Sequence, residues 1–434
     1  MNAMQPKYTT ETNETSETTD SHMKTIPLKR LVPGLIIGPA SWLGPYIAIA
    51  SLFLPALIQR LDADNKITLL ALFSSVGMIT AAISNMIAGY LSDRTKSRFG
   101  KRTPWLVSGA FVFMLAMILA SMSTNIPLLL LSWMLGQIAL NFIVAPMVAW
   151  LDLAPEKSKG TASSAYGGLG MALGNNGFTI LAAIFIGQFR LGFIIFGIIT
   201  FIGTLITAFI VREPSNLDEK LDLSTSTNKE SFSIKEVLTI FPKWSVGRDY
   251  YLALIGKLSQ GVGNFAITGY LLFIMTDFLH KGTSATQQSV QLINLIMLVF
   301  GITMGFIAGP ISDKFKVLKL PVGLSTILLG IGALSIFFLQ NDIGMIIYAF
   351  MAGLGMGIWN SLDNLLNLKV IPDKDRVGFF LGIYNLGNTA TQAIAPVIAA
   401  VMISAVGFSS IFIMSFVFSI IGGISILSIK SVTR

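Results

Sequence analysis

Two oppositely charged residues, Lys257 and Asp363, lie within long apolar stretches of the sequence, where ionised side chains are rare. A charge surrounded by hydrocarbon is costly, so such residues usually pair with one another or serve an ion or proton pathway. We predict an ion pair between Lys257 and Asp363, with Asp363 as the candidate proton-coupling residue. The alternative is that both side chains reach water, Lys257 by extending its long stem.

Carboxamides recur at helical spacing in other apolar stretches. Gln137 and Asn141 are four residues apart, as are Gln260 and Asn264, so each pair shares a helix face. Amides bond donors and acceptors without carrying charge, which suits an uncharged, hydroxyl-rich ligand. The predicted chamber is lined by Trp42, Tyr46, Gln137, Asn141, Asn175, Asn176, Gln260, Asn264, Asn294, Trp359, Asn360, Asn388 and Gln392. The alternative for each amide is a hydrogen bond that joins two helices.

A third group of charges lies in the segment GYLSDRTKSRFGKRTPW, between two apolar stretches. From Asp93 to Arg102 this segment has one acid and five bases. The bases predict a cytoplasmic loop that meets anionic lipid headgroups. The carboxylate is suited to the N-terminus of a neighbouring helix, where the helix dipole favours negative charge by about 0.3–1 kcal/mol.

Membrane helices must position all of these residues. Of 434 residues, 53% are hydrophobic and 12% are charged, whereas soluble domains are about a quarter charged. Continuous apolar runs, each long enough for a hydrocarbon core of about 30 Å, indicate helices and not strands. We predict an all-α membrane protein with twelve spans, at 31–58, 67–91, 105–123, 127–150, 161–187, 190–211, 250–279, 287–311, 320–339, 343–368, 378–402 and 407–430.

The distribution of bases predicts the orientation of these spans. Of the 30 Lys and Arg residues, only Arg60, Lys66, Arg190 and Lys281 fall in the alternate loops. By the positive-inside rule, both termini are cytoplasmic in a multi-pass protein of the cell (plasma) membrane. The predicted parts are a disordered tail (1–30), two six-helix bundles (31–211 and 250–434) and a cytoplasmic linker (212–249).

Two motifs repeat between the predicted bundles. Gly89, Ser92 and Asp93 are echoed by Gly309, Ser312 and Asp313, and the segment from Pro155 to Tyr166 is echoed by the one from Pro372 to Tyr384. Two like-oriented bundles of six helices are typical of alternating-access carriers, which hold their substrate near the midplane between the bundles.

The charged segment GYLSDRTKSRFGKRTPW resembles the loop between spans 2 and 3 of the major facilitator superfamily. AWLDLAPEKSKGTAS and the segment from Ser361 to Pro396 are similar to its sucrose-type and glycoside–cation symporter branch. The resemblance implies a latch, formed only while the cytoplasmic side is closed, in which Asp93 faces Gly378 and Asp313 faces Gly160. The predicted gating residues are Asp93, Arg94, Arg98, Arg102, Asp313 and Lys314.

Together these features predict a secondary transporter for a sugar or glycoside, with lipid as its surroundings. Cation-coupled relatives carry membrane carboxylates, and the first three spans have none in their interiors, so H+ coupling, Na+ coupling and facilitated diffusion all stay open. An exporter of an amphipathic drug-like compound or peptide is the first alternative. A non-transporting sensor or a membrane-embedded enzyme is the second.

Several classes of chemistry are not expected. The chain has no cysteine and two histidines, which leaves little for a metal site. No glycine-rich segment ends in Gly-Lys-Ser or Gly-Lys-Thr, so the sequence predicts no direct use of ATP. We expect no cofactor, no metal, no catalytic residue and no nucleic-acid partner, and we expect a monomer.

Overall fold

The computed structural model describes residues 25–155, 158, 161–162, 164–217, 244–372 and 377–432. We number the helical spans in chain order. They are α1 (Leu28–Leu61), α2 (Lys66–Asp93), α3 (Thr103–Ser121), α4 (Ile126–Leu153), α5 (the segments Ser164–Gly170, Leu173–Gly177 and Phe178–Ala183), α6 (Ile186–Val211), α7 (Trp244–Thr268 followed by Leu271–Phe278), α8 (Thr283–Phe315), α9 (Lys319–Leu339), α10 (Asp342–Val370), α11 (Val377–Val406) and α12 (Ser409–Leu427).

These helices confirm the all-α membrane class. Within the described residues, ten helices are each long and apolar enough to cross a membrane. α7 makes an eleventh if its two parts, bent by 48°, form one span. The remaining predicted span corresponds to α5, which consists of short segments with widened turns. The predicted count of twelve is therefore roughly met, with α5 and α7 less regular than expected.

Proline explains the irregularity in α1. The helix contains Pro33, Pro39 and Pro45, and its turn widens over Ile49–Phe53 before Pro55. A proline inside a helix donates no hydrogen bond, and its ring clashes with the carbonyl four residues earlier. For Pro55 that carbonyl belongs to Ser51, inside the widened turn, which relieves the clash.

Equivalent helices of the two halves start in the same way. The Asn125 side chain accepts a hydrogen bond of 2.9 Å from the amide of Leu128 at the start of α4. The Asn341 side chain accepts one of 3.1 Å from the amide of Gly344 at the start of α10. Asparagine is a favoured N-cap because it satisfies an amide that has no partner within the helix. The matching caps support the internal repeat.

Helix packing shows the same repeat. In the first half α3 packs against α4 and α6, and in the second half α9 packs against α10 and α12. The halves meet where α2 packs on α11 and where α5 packs on α8. Under a two-fold exchange of the halves these two contacts are equivalent.

Within the described residues, the halves pack more extensively at one end of the helices than at the other. We call the end with loops 94–102 and 316–318 the basic side, and the end with loops 62–65 and 279–282 the opposite side. Towards the opposite side, the Ser75 hydroxyl of α2 donates to the Ala393 carbonyl of α11 at 3.0 Å. Towards the basic side of α2, Met86 is 78% exposed and open space surrounds Gly89. The space between the halves therefore opens on the basic side.

Candidate functional site

The two charges of the apolar spans meet inside the second half. α7 and α10 place the Lys257 ammonium 2.6 Å from a carboxylate oxygen of Asp363, and both side chains are about 95% buried, at 4% and 5% exposure. α11 adds Tyr384, whose hydroxyl donates to the other carboxylate oxygen. The ammonium lies 4.2 Å from the centre of the Tyr384 ring. We call Lys257, Asp363 and Tyr384 the buried trio.

The burial of the trio removes one alternative from the sequence analysis. Neither Lys257 nor Asp363 reaches water, because each is almost fully covered and bonded to the other. A buried ion pair is tolerated where its geometry is good and its remaining hydrogen-bonding atoms are satisfied, and here both carboxylate oxygens have partners. The pair carries no net charge. Its role in coupling stays a prediction.

The first half contains an uncharged counterpart. The Asn141 side-chain amide of α4 donates to the backbone carbonyl of Gln137, one turn earlier on the same helix, at 2.8 Å, and the Asn85 side-chain amide of α2 donates to the Asn141 side-chain oxygen at 3.1 Å. Gln137 and Asn141 are 2% and 7% exposed. We call Asn85, Gln137 and Asn141 the amide cluster. Asn85 was missed from the sequence because no second amide follows it at helical spacing.

Aromatic side chains lie beside the amide cluster in the first half. The Tyr46 ring stacks on Trp133, with centroids 6.0 Å apart and planes 19° apart. The Trp133 indole donates to the Phe73 carbonyl at 3.2 Å. A Cβ atom at Gly77 would lie 2.7 Å from the Trp133 indole nitrogen, so α2 needs glycine there. Trp42 is buried, and its indole lies beside the Tyr166 hydroxyl.

The other predicted chamber residues are spread over both halves. The Gln260 amide approaches the Met356 sulfur at 3.1 Å, and the Asn294 amide donates to the Val290 carbonyl of its own helix at 2.9 Å. Trp359 is buried, and Asn360 and Asn388 are exposed. Those that are half-buried are Asn175, Asn176, Asn264 and Gln392. Gln137 and Asn141 share a face of α4, and a ligand shared by the predicted chamber residues stays a prediction.

The predicted gating residues make local contacts. Asp93, with a side chain 64% exposed, pairs with Arg102 at 3.2 Å. Arg94 lies 4.0 Å from the ring centre of Tyr90, Arg98 lies 4.7 Å from that of Phe99, and Lys314 lies 5.7 Å from that of Phe315. The Asp313 side chain and Gly160 lie outside what the structure describes. The latch was expected only in a conformation closed on the basic side, so this open arrangement does not test it.

Two further residues hold the loop between α2 and α3, and sequence reasoning missed both. Glu213, just after α6, accepts hydrogen bonds from the amides of Arg102 and Thr103 at 3.0 and 2.8 Å and so caps α3. Asn216 accepts from the Ser97 amide at 2.9 Å and donates to the Thr95 carbonyl at 2.8 Å. No local pattern signals these contacts, because each joins segments more than 100 residues apart.

An ion pair joins the halves on the opposite side. The Lys66 ammonium at the start of α2 lies 2.5 Å from a carboxylate oxygen of Asp277 at the end of α7, and 5.0 Å from the centre of the Phe273 ring. These residues were placed correctly at one end of their spans, but their pairing was not predicted. Within the described residues, no group of three or more metal-ligating side chains could hold a metal ion.

Comparison with known proteins identifies the family. The family model described as Major Facilitator Superfamily matches residues 43–280 and 253–433. The chain belongs to the major facilitator superfamily. The protein is therefore a membrane transporter, which confirms that part of the prediction from the sequence. The finer assignment to the sucrose-type and glycoside–cation branch stays a prediction.

Two individual likenesses accompany the family match. The chain is 29% identical over 240 residues to Multidrug resistance protein 2 of Bacillus subtilis (strain 168). This match covers 52% of this chain and only 57% of that protein. The chain is also similar to a crystal structure of a bacterial homolog of the human lysosomal transporter Spinster, in an inward-facing and unoccupied conformation. That likeness has a TM-score of 0.67 and covers 93% of this chain and 97% of the other. At 11% identity it shows the fold alone.

Proposed function

We propose that this transporter carries an uncharged, hydroxyl-rich solute, such as a sugar or a glycoside, by alternating access between its halves. The proposal rests on the ion pair that neutralises the Asp363 charge. Its carboxylate is paired with Lys257 at 2.6 Å and so offers no free negative charge to a cationic ligand. The amide cluster adds polarity without charge. Such surroundings favour a neutral ligand over an organic cation.

The first half offers both kinds of contact that a sugar needs. Amide donors and acceptors match hydroxyl groups, which can do both. The flat faces of Tyr46 and Trp133 match the apolar faces of a pyranose ring, which carry C–H groups. We propose that the solute binds between the amide cluster and these two rings.

We propose Asp363 as the coupling site if transport is driven by protons. A proton added to its carboxylate would remove the charge that holds the Lys257 ammonium, and would therefore weaken the contact between α7 and α10. The Tyr384 hydroxyl links the same carboxylate to α11, which packs on the first half through α2. A change at Asp363 could thus reach the boundary between the halves. Sodium coupling and facilitated diffusion are the other outcomes of the test below.

Export of an amphipathic compound is the second candidate. It is supported by the similarity to a protein named Multidrug resistance protein 2. The contact between Gln260 and the soft Met356 side chain would suit an apolar ligand as well. A lipophilic cation, however, would have to compete with Lys257 for Asp363, which makes neutral amphipathic compounds the better substrates within this class.

Reconstitution in liposomes tests the proposal. Uptake and efflux of labelled monosaccharides, disaccharides, glycosides and lipophilic cations would be measured with pH and sodium gradients imposed separately. We expect saturable movement of at least one sugar or glycoside, with a raised KM in the Asn141→Ala variant. Protein-free liposomes and the Thr200→Val variant, which removes a buried hydroxyl that bonds the Phe196 carbonyl of its own helix, are the controls. Saturable transport of lipophilic cations alone would overturn the proposal.

A further inference from the structure

A groove runs along the outer flank of the first half, away from the space between the halves. It has a volume of about 550 Å³ and lies between α3 and α6, with Phe99 at its basic end and Phe201 contributed by α6. Within the described residues, α3 packs mainly against α4 and α6, at the edge of the bundle. The groove therefore faces the surrounding membrane and not the predicted chamber.

The shape of the groove suits an acyl chain. Thr103, Val107 and Phe111 line it at intervals of four residues, so they form one stripe along α3. Eight residues of helix span about 12 Å, which is close to the thickness of one leaflet's hydrocarbon layer, about 15 Å. The groove is open to its surroundings, since two of its lining residues, Phe111 and Phe99, are 45% and 54% exposed.

The mouth of the groove carries a positive charge. The Arg98 guanidinium lies 4.7 Å from the ring centre of Phe99, which itself lines the groove. Arg102 is paired with Asp93, and Arg94 is held by Tyr90. For Arg98 the described residues contain no ion pair, and its side chain is exposed. An apolar groove with an exposed base at its polar end is complementary to a lipid with a negatively charged headgroup.

We propose that this groove binds an anionic glycerophospholipid from the leaflet on the basic side. One acyl chain lies along Val107 and Phe111, and the phosphate bonds the Arg98 guanidinium. This assigns Arg98, predicted from the sequence as a gating residue, to lipid recognition. Because the groove lies outside the chamber, the lipid does not compete with the transported solute.

Native mass spectrometry of the purified protein tests the proposal, with equal amounts of phosphatidylglycerol and phosphatidylcholine of the same acyl chains. We expect a preference for phosphatidylglycerol, and Arg98→Gln, which removes the positive charge opposite the headgroup, should weaken that preference about fivefold. Ser108→Trp, on an exposed groove position, should displace the chain and reduce retention of both lipids. A monodisperse elution profile and an unchanged Tm would show that each variant is folded.

The chain offers two matched controls. Lys96→Gln removes an exposed base from the same loop, and Lys314→Gln removes the base stacked on Phe315 in the second half. Both should keep the wild-type preference. The proposal is overturned if Arg98→Gln or Ser108→Trp binds phosphatidylglycerol like the wild type, or if Lys96→Gln weakens it as much as Arg98→Gln. Displacement of the lipid by glycerol 3-phosphate would also overturn it, because that result identifies an anion site without an acyl chain.

Discussion

The two halves share a helical plan but differ in the polar groups that they bury. The second half buries the trio of Lys257, Asp363 and Tyr384, which contains two opposite charges. The first half buries the amide cluster, which contains none. The repeat makes the contrast sharper, because Tyr384 and Tyr166 occupy equivalent positions in the two echoed motifs.

The two tyrosines show what divergence has changed. The Tyr384 hydroxyl donates to the charged Asp363 side chain, whereas the buried Tyr166 hydroxyl lies beside the uncharged Trp42 indole. A hydrogen bond to a charged group contributes about 1.5–3 kcal/mol, roughly twice the value for two neutral groups. We infer a division of labour in which the second half holds the charge and the first half selects the solute.

We expect the largest losses of stability and transport when one charge of the buried trio is removed. Lys257→Met or Asp363→Asn would leave the other charge buried without its partner, at a cost of about 3–5 kcal/mol in stability. Both single variants should show a clearly lower Tm and little transport in liposomes.

The double variant Lys257→Met/Asp363→Leu is the matched control for the trio. With both charges replaced by apolar groups, most of the lost stability should return, while any proton-driven transport should not. A single variant with wild-type Tm would show that the pair is not a buried charge pair in the folded protein.

The next effect compares the equivalent tyrosines. Tyr384→Phe removes the hydrogen bond to the Asp363 carboxylate and should destabilise the protein by about 1.5–3 kcal/mol. Tyr166→Phe removes a hydroxyl that lies beside the neutral Trp42 indole and should cost less, at most about 1 kcal/mol. Thermal unfolding of the two variants side by side measures the difference. Equal losses of Tm would remove the asymmetry between the halves.

A smaller effect is expected in the amide cluster, and it should appear in solute binding. Asn141→Ala or Gln137→Ala should each remove a proposed hydrogen bond to the solute of about 1 kcal/mol, so KM should rise about five- to tenfold. Thr200→Val, which removes a hydroxyl that bonds its own helix, should leave KM near the wild-type value. The division of labour would be wrong if the three variants gave the same KM.

The smallest effect concerns the contact between the halves. Lys66 and Asp277 are partly exposed, at 16% and 23%, so their ion pair contributes only about 0.2–1 kcal/mol. Asp277→Asn should raise the fraction of molecules open on the opposite side by up to about fivefold. Cysteine accessibility at Asp64, in the neighbouring loop, reports this fraction. Asp62→Asn serves as the control because the Asp62 side chain bonds within its own loop, to Asn65 and to the Asp64 amide.

Part of this molecule could be predicted from its sequence. Hydropathy gave the helical class and the ends of most spans, because long apolar runs have few other structures open to them in a membrane. It also singled out Lys257 and Asp363, because charges within such runs are rare. It did not reveal the widened turns of α5 or the 48° bend of α7, which depend on packing between helices.

The missed residues share one physical reason. Tyr384 completes the trio from another helix, Glu213 caps α3 from more than 100 residues away, and Asn85 joins the amide cluster from α2. Each is an ordinary residue in its own segment and acquires its role only through a contact in the folded chain. Spacing along one helix cannot report such contacts. Residues that share one helix face, such as Gln137 and Asn141, could be grouped from their spacing alone, and their role in binding stays a prediction.

We propose that the two halves pivot about each other during transport. The contact on the opposite side then opens while the space on the basic side closes. Because the chain has no cysteine, introduced pairs can be spin-labelled cleanly, one pair at Asp64 and Ser284 and one at Lys96 and Lys314. Double electron–electron resonance would measure both distances with and without a transported solute. We predict that the solute adds a population in which the Asp64–Ser284 distance lengthens and the Lys96–Lys314 distance shortens. Two distances that change in the same direction, or that stay fixed during transport, would contradict the account.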